Sequence, residues 1–470
     1  MRFSFLSDLR GVAATALLAG AIVACLGTGI STSAPEHAQV PSQLRSKTKI
    51  EHVVVIVQEN RTVDNLFNGF PGANTVRTAP LRHHRTIPLM LRHLAVHCDP
   101  GHSYYDFQVE FDHGFGAPTY CGKNYVYSYT MRGDVENYWT LASRYVLADN
   151  VFQANRGPSF EAHQYLIAGQ SGGIRNGAAS SSSAPIAMAN NAEPVGVGGC
   201  DYDVKVPGID MHAPYPKTPT HLMWRVPTCQ DYETIFGLLD AASPGAINWR
   251  YYAPTIHDIW SAPVAVLSHW NAYRAGAPNF VEDEAGRRFT RDVAAGKLAP
   301  VTYIVPCRAW SDHPAENVVG TPQGPQWVGY LVNTIGTSRF WNSTAILITW
   351  DDWGGWYDHV RPPDAHPNPY ANPSDPYEYG FRVPLIIVSP WTKPHFVDHT
   401  PRTFTSILAF IETTFGFRQG ALGTSDRYYD DLQDDFDYAG IPKPYATLPA
   451  PGFPQQSNCP DLPPTPKPSD

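Results

Sequence analysis

The 470-residue sequence contains no run of lysines and arginines, and beyond Ile30 it has no apolar stretch long enough to cross a bilayer. A spanning helix takes about 20 consecutive apolar residues, so the mature chain is not expected to span a membrane. The formal net charge is −9, and an electrostatic grip on DNA or RNA is excluded by it. Adhesion to an anionic membrane surface is disfavoured for the same reason, which leaves at most transient membrane contact. None of the seven cysteines has the spacing of a zinc knuckle, and no internal repeat is found.

What is present begins at the N-terminus. Arg2 and Arg10 precede an Ala-rich apolar stretch from Gly11 to about Ile30, the pattern of a secretory signal peptide over residues 1–34. Ile22, Val23, Ala24 and Cys25 resemble a bacterial lipobox, and a plain signal cleaved before about Gln43 accounts for the segment as well. The chain is therefore expected to be exported: periplasmic, secreted or anchored as a lipoprotein. Loss of the signal takes the charge to about −10. Apart from Cys25 there are six cysteines, an even number for which disulfides are the default in an exported chain. Fifteen pairings are possible; pairing neighbours in sequence gives Cys98 with Cys121, Cys200 with Cys229, and Cys307 with Cys459.

Residues 35–49 read as a polar linker. Short apolar runs then recur: VVVIV (53–57), INWRYYAP (247–254), APVTYIVP (299–306), TAILITW (344–350) and VPLIIVSPW (383–391). Helical patterns lie at 137–150, 231–242, 326–338 and 403–416. Strands apolar on both faces and alternating with helices predict an α/β fold, a mostly parallel central sheet covered by helices on both faces. One catalytic domain is expected over 50–445. Its Gly/Ser-rich insertion at 171–199 reads as a surface excursion and a possible lid, and 446–470 reads as a Pro-rich tail.

In such sheets ligands collect beyond the carboxyl ends of the strands. Glu59-Asn60 follows the first strand, Asp351-Asp352 follows TAILITW, and SDHP (311–314) follows VTYIVP. Adjacent aspartates repel and weaken a strand, so their placement calls for something cationic between them. Either pair alone is more often a turn or a helix cap. Together, with Gly354-Gly355 permitting close backbone approach and Asp358-His359 following, they describe a site for one divalent cation: Ca²⁺, Zn²⁺, Fe or Mn. Ser159, after Gly157-Pro158, opens a helical segment. A helix cap is the commoner explanation of such a serine, and a nucleophile beside a metal is the other. Trp310, Trp350, Trp353 and Trp356 flank these motifs, either as packing or as an aromatic cage for a choline headgroup.

QENRTVDNLFNGFPG, GHSYYDF, GPSFEAHQYLIAG, SDHP, DDWGGWYDHV and RVPLIIVSPW, in this order, resemble the bacterial and plant phosphoesterase family. That family holds the non-specific phospholipases C and certain acid phosphatases, and belongs to the alkaline phosphatase-like superfamily. The resemblance runs from about residue 50 to 440. It implies an alkaline phosphatase-like fold and a metal-dependent hydrolase of phosphate esters working through a phosphoserine. Glu59, Asn60, Asp351, Asp352 and Ser159 match its metal-site positions, Ser159 also its nucleophile. His102, His313 and His359 match histidines around the phosphoryl group or leaving group, while Asp64, Asp358 and His163 match residues that orient the others. The phospholipase C branch usually carries Thr followed by Pro-Asn-Arg as its nucleophile motif. Here Ser159 precedes Phe-Glu-Ala-His, as in the acid phosphatase branch, so the substrate is either a phosphate monoester or a phospholipid. A sulfatase-like hydrolase would share the sheet, but its Cys/Ser-x-Pro-x-Arg motif is not found. A non-catalytic exported binding module would explain the tryptophans and disulfides and not the carboxylate pairs.

Overall fold

The computed structural model describes residues 44–81, 85–113, 121–122, 124–172, 186–188, 191, 198–202, 204–210, 224–315, 323–363 and 377–450. The signal segment, most of the expected linker and residues 451–470 lie outside the described residues. Eight strands form the main sheet: β1 (His52–Gln58), β2 (Val146–Ala148), β3 (Trp249–Ala253), β4 (Phe280–Glu282), β5 (Val301–Ile304), β6 (Thr344–Trp350), β7 (Leu385–Val388) and β8 (Phe396–Asp398). Their spatial order is β4-β3-β5-β1-β6-β7-β2-β8. All neighbours are parallel except β7, which runs antiparallel to both β6 and β2. Every residue of β6 is buried, as is all of β1 after His52, which requires cover on both faces.

Six helices matter most: α1 (Tyr104–His113), α2 (Glu136–Arg144), α3 (Ser159–Ala168), α4 (Ile235–Ala242), α5 (Gly324–Gly336) and α6 (Ser406–Thr414). α2 packs on α5, while α3 packs on α4 and α6. The expected α/β architecture is present, with three departures. The helix expected over 137–150 stops at Arg144, because Val146, Leu147 and Ala148 are taken up by β7 and β8 as a sheet strand. Helical periodicity continued through this run, but pairing on both sides overrode it.

The insertion at 171–199 is not wholly a surface excursion. Ile186–Met188 joins Lys205–Asp210 and Trp224–Pro227 in a three-stranded antiparallel sheet, and Ala187 and Met188 are buried. The start of the Pro-rich tail is also attached: Leu448 is buried, and both its backbone N–H and its carbonyl bond to the Asn333 side chain on α5. At the other end of the domain, Lys47 of the expected linker donates its N–H to Thr414 O. Disulfides join Cys98 to Cys121 and Cys200 to Cys229, as neighbour pairing gives. The third expected pair ends on Cys459, outside the described residues. All four tryptophans near the motifs are buried, as packing requires. Among the described residues no helix is long and apolar enough to cross a membrane.

Candidate active site

Register places the first two pairs of site residues together. β1 and β6 are parallel neighbours with Gln58 opposite Trp350, so Glu59-Asn60 and Asp351-Asp352 leave the sheet side by side. Asn60 takes a left-handed conformation (φ 60°) and donates its N–H to Asp351 Oδ1 at 2.9 Å. The chain then turns through Gly354 and Gly355, both left-handed. A Cβ on Gly354 would stand 2.5 Å from Asn60 O, and one on Gly355 2.5 Å from Gly101 O, so only glycine fits at either position. The SDHP loop is tied to β1 through Gln58, whose amide donates to Trp310 O (3.1 Å) and accepts from Asp312 N (2.9 Å).

Ser159 is the first residue of α3 and is 1% exposed. The helix cap is Pro158, and Ser159 makes no capping bond; its hydroxyl donates to Asp352 Oδ2 at 3.2 Å. The plain helix-cap reading therefore does not describe this serine. From the next turn of α3, His163 brings Nε2 to 2.8 Å from Glu59 Oε1 and 3.8 Å from Asp351 Oδ2. Burial, reinforced by Asp351 and Asp352, holds Glu59 well above the usual carboxylate range. Burial pulls His163 down to about 4 against the pull of Asp351. Asp352, like Glu59, is pushed well up, by burial and then by Asp351.

The histidines meet at Asn60. With the Asn60 amide oriented to suit its neighbours, its nitrogen donates to Asp351 Oδ1 and Glu59 Oε2, both at 3.2 Å. Its oxygen then accepts from His102 Nε2 (3.1 Å) and His313 Nε2 (3.3 Å). On the far side of each ring, Nδ1 faces a carbonyl, Pro100 O at 2.8 Å for His102 and Pro314 O at 2.6 Å for His313. Carbonyl oxygens only accept, so each imidazole donates through Nδ1, and His102 is held in the charged form. For His102, burial opposes that charge, but the carboxylates of Asp99 and Asp352 outweigh it and raise the group to about 9.

A buried carboxylate without compensation costs several kcal/mol, of order 3–5. Here Asp351 Oδ2 is buried with no hydrogen-bond partner, beside Asp352 and Glu59. The ligand atoms of Glu59, His163 and Asp351 all lie within 4.8 Å of one another. Oxygen donors crowded in this way, one of them orphaned, suit a divalent cation.

His359 lies in a different set of contacts. Its Nδ1 and its backbone N–H both bond Asp64 Oδ2, at 2.6 and 2.7 Å, and Nε2 faces Asn74 Oδ1 at 3.1 Å. Asp358 forms a two-pronged pair with Arg382 (2.8 and 3.1 Å), and Arg382 also reaches the backbone carbonyls of Asn74 and Asp149. This knot brings together Asp64, Asp358 and His359 but gives none of them a described contact with Ser159 or Asp352. Arg382 pairs with both Asp358 and Asp64, and the ligand atoms of Asp64, Asp358 and His359 also lie within 4.8 Å of one another. The contacts of His359 are those of a residue that anchors the loop after Gly355. Arg382 was missed in the sequence, although an arginine directly before the apolar run 383–391 is the signal that could have found it. Asp99, 3.7 Å from His102, gave no such signal.

A family model of the Phosphoesterase family matches residues 50–418. The chain belongs to the Phosphoesterase family. Its relatives include a non-hemolytic phospholipase C of Burkholderia pseudomallei, 24% identical over 82% of this chain and 58% of that protein. Phospholipase C A of Mycobacterium tuberculosis is also 24% identical, over 98% of this chain and 89% of that one. The chain thus spans little more than half the length of the first relative and most of the second. Among solved structures it is similar to a protein in the alkaline phosphatase superfamily from Vibrio parahaemolyticus, with a TM-score of 0.38 and 8% identity over 84% of this chain and 72% of that one.

Proposed function

We propose that this member of the Phosphoesterase family is an exported, metal-dependent hydrolase of phosphate esters that works through a phosphoserine at Ser159. One observation carries the reading: the Ser159 hydroxyl, at the N-terminus of α3, bonds Asp352 within a cluster of buried carboxylates that includes an orphaned oxygen of Asp351. Glu59, Asp351, Asp352 and Ser159 are the oxygen donors that would hold one divalent cation; Asn60 would join them with its amide turned so that the oxygen, not the nitrogen, faces the carboxylates. When bound, such an ion supplies positive charge that favours loss of the serine proton and stabilises phosphoryl oxygens.

The chain's own residues account for the remaining chemistry. Ser159 Oγ attacks phosphorus while its proton passes to Asp352 Oδ2. The Oγ–P bond forms as the ester P–O bond breaks, and the departing oxygen takes a proton from His313 or His102. Both imidazoles also face the oxyanions with positive charge, and the N-terminus of α3 adds its dipole. Water then attacks the phosphoserine and gives one proton back to the imidazole; the Oγ–P bond breaks, Asp352 returns its proton to Ser159 Oγ, and phosphate or a phosphorylated headgroup leaves.

The segment that follows Ser159 supports phosphate monoesters as substrates, while the relatives' names support phospholipids. A panel of p-nitrophenyl phosphate, bis-p-nitrophenyl phosphate, p-nitrophenylphosphocholine and phosphatidylcholine, each with and without chelator, tests both. Turnover of at least one that is lost on chelation is expected. Inactivity on all four, or turnover indifferent to chelation, would overturn the reading.

A further inference from the structure

Resting on that reading of His313, we infer that Trp260 is a positioning residue for leaving-group protonation: its indole is the wall that aims the His313 imidazole. The two rings lie 5.6 Å apart at an interplanar angle of 37°. With Nδ1 committed to Pro314 O, the orientation of the imidazole plane decides where Nε2 points, and a flat neighbour restricts that orientation.

Trp260 is itself firmly held. It is 2% exposed; its backbone N–H donates to Asp258 Oδ1 (3.3 Å), and its carbonyl accepts from the Tyr251 hydroxyl of β3 (3.2 Å). The Arg308 guanidinium lies over its ring, 4.8 Å from the centroid. The indole belongs to a small core separate from the main one, with Phe160, Met188, Val206, Val226 and Val264 among its members. Phe160 directly follows Ser159, so this core braces the nucleophile's neighbour as well as His313. The insertion supplies Met188, and Cys200, just beyond it and disulfide-bonded to Cys229, packs against this core and donates its N–H to Val264 O at 2.7 Å. Gly199 permits that approach, since a Cβ there would stand 2.5 Å from Val264 O. Met188 and the Gly199–Cys200 turn thus buttress the acid side of the site.

The test uses the leaving group as its readout. p-Nitrophenolate departs without a proton, whereas an alkoxide needs one, so a misaimed acid shows on alkyl phosphates alone. For Trp260→Leu, kcat/KM for p-nitrophenyl phosphate should stay within about threefold while that for ethyl phosphate falls about tenfold or more. Trp260→Phe, which keeps a ring face, should retain both. If the leucine variant fails to fold, Trp260→Met fills the space without a ring and carries the same expectation. Equal loss on both substrates, or none on either, overturns the inference. His313→Asn, run alongside, separates the two levels of the argument. If it shows no leaving-group discrimination, the assignment of His313 fails and the inference with it. Discrimination in His313→Asn with none in the Trp260 variants overturns the inference alone.

Discussion

Asn60 and Asp351, 291 residues apart in sequence, are joined by a 2.9 Å hydrogen bond from the backbone N–H of one to the carboxylate of the other. That bond links the ends of two adjacent parallel strands and joins the Glu59-Asn60 and Asp351-Asp352 pairs into one cluster. It exists because Asn60 is left-handed and because Gly354 leaves room for the Asn60 carbonyl.

Gly354→Ala should therefore damage the site as well as the fold. The added Cβ meets Asn60 O in a conformation that L-residues avoid, a strain of roughly 1–3 kcal/mol. Thermal melts should show that destabilisation, and metal analysis should show reduced occupancy. Wild-type occupancy with wild-type stability would contradict the geometry.

Asp351→Ala and Asp352→Ala are each expected to lower phosphoester hydrolysis by on the order of 10³-fold or more. The folded state should survive, because each change relieves the crowding of buried carboxylates in the metal-free protein. Chelator-treated variants should melt no lower than chelator-treated wild type. Retained activity with full metal occupancy would remove that aspartate from the site.

Stability of the metal-free protein should fall as pH rises from 7 to 9. Burial holds Glu59 and Asp352 well above the usual carboxylate range, so each keeps its proton to a higher pH in the folded state than in the unfolded chain, and His102, raised to about 9, does the same above its ordinary value. More protons bound in the folded state means stability declines with rising pH. His163, lowered to about 4, works in the opposite direction, but only below its ordinary value of 6.5 and so outside this window. A divalent cation should accordingly raise the melting temperature more at pH 9 than at pH 7. An equal or smaller rise at pH 9 would contradict the electrostatic account.

Reduction should lower stability without directly blocking chemistry, since no described contact of the cluster involves a cysteine. Each of the bridges Cys98–Cys121 and Cys200–Cys229 closes a loop worth roughly 2–4 kcal/mol. Thiol titration of the denatured, unreduced protein should find these four cysteines blocked. Four free thiols would contradict both the bridges and the export reading.

Much of this was legible in the sequence because the relevant signals are local. VVVIV and TAILITW are apolar on both faces, and their polar ends mark where strands stop. Pairing neighbouring cysteines gave the two described bridges. What escaped depends on contacts distant in sequence. Val146 to Ala148 read as helix until flanking strands claimed them. The Asp358–Arg382 pair crosses 24 residues, and Trp260 reaches His313 from a loop that carries no motif. The contacts of His359 are with Asp64, Asn74 and Arg382, because a DH pair states a residue type and not the direction in which the ring turns.

The central claim is that Ser159 carries the phosphoryl group. Acid quenching during turnover of a labelled phosphoester, followed by peptide mapping, tests it most directly. The account predicts label on the peptide containing GPSFEAH, absent from Ser159→Ala, which should lose turnover by several orders of magnitude while keeping its stability to within about 1 kcal/mol. An active alanine variant, or label found on a histidine peptide instead, would contradict it.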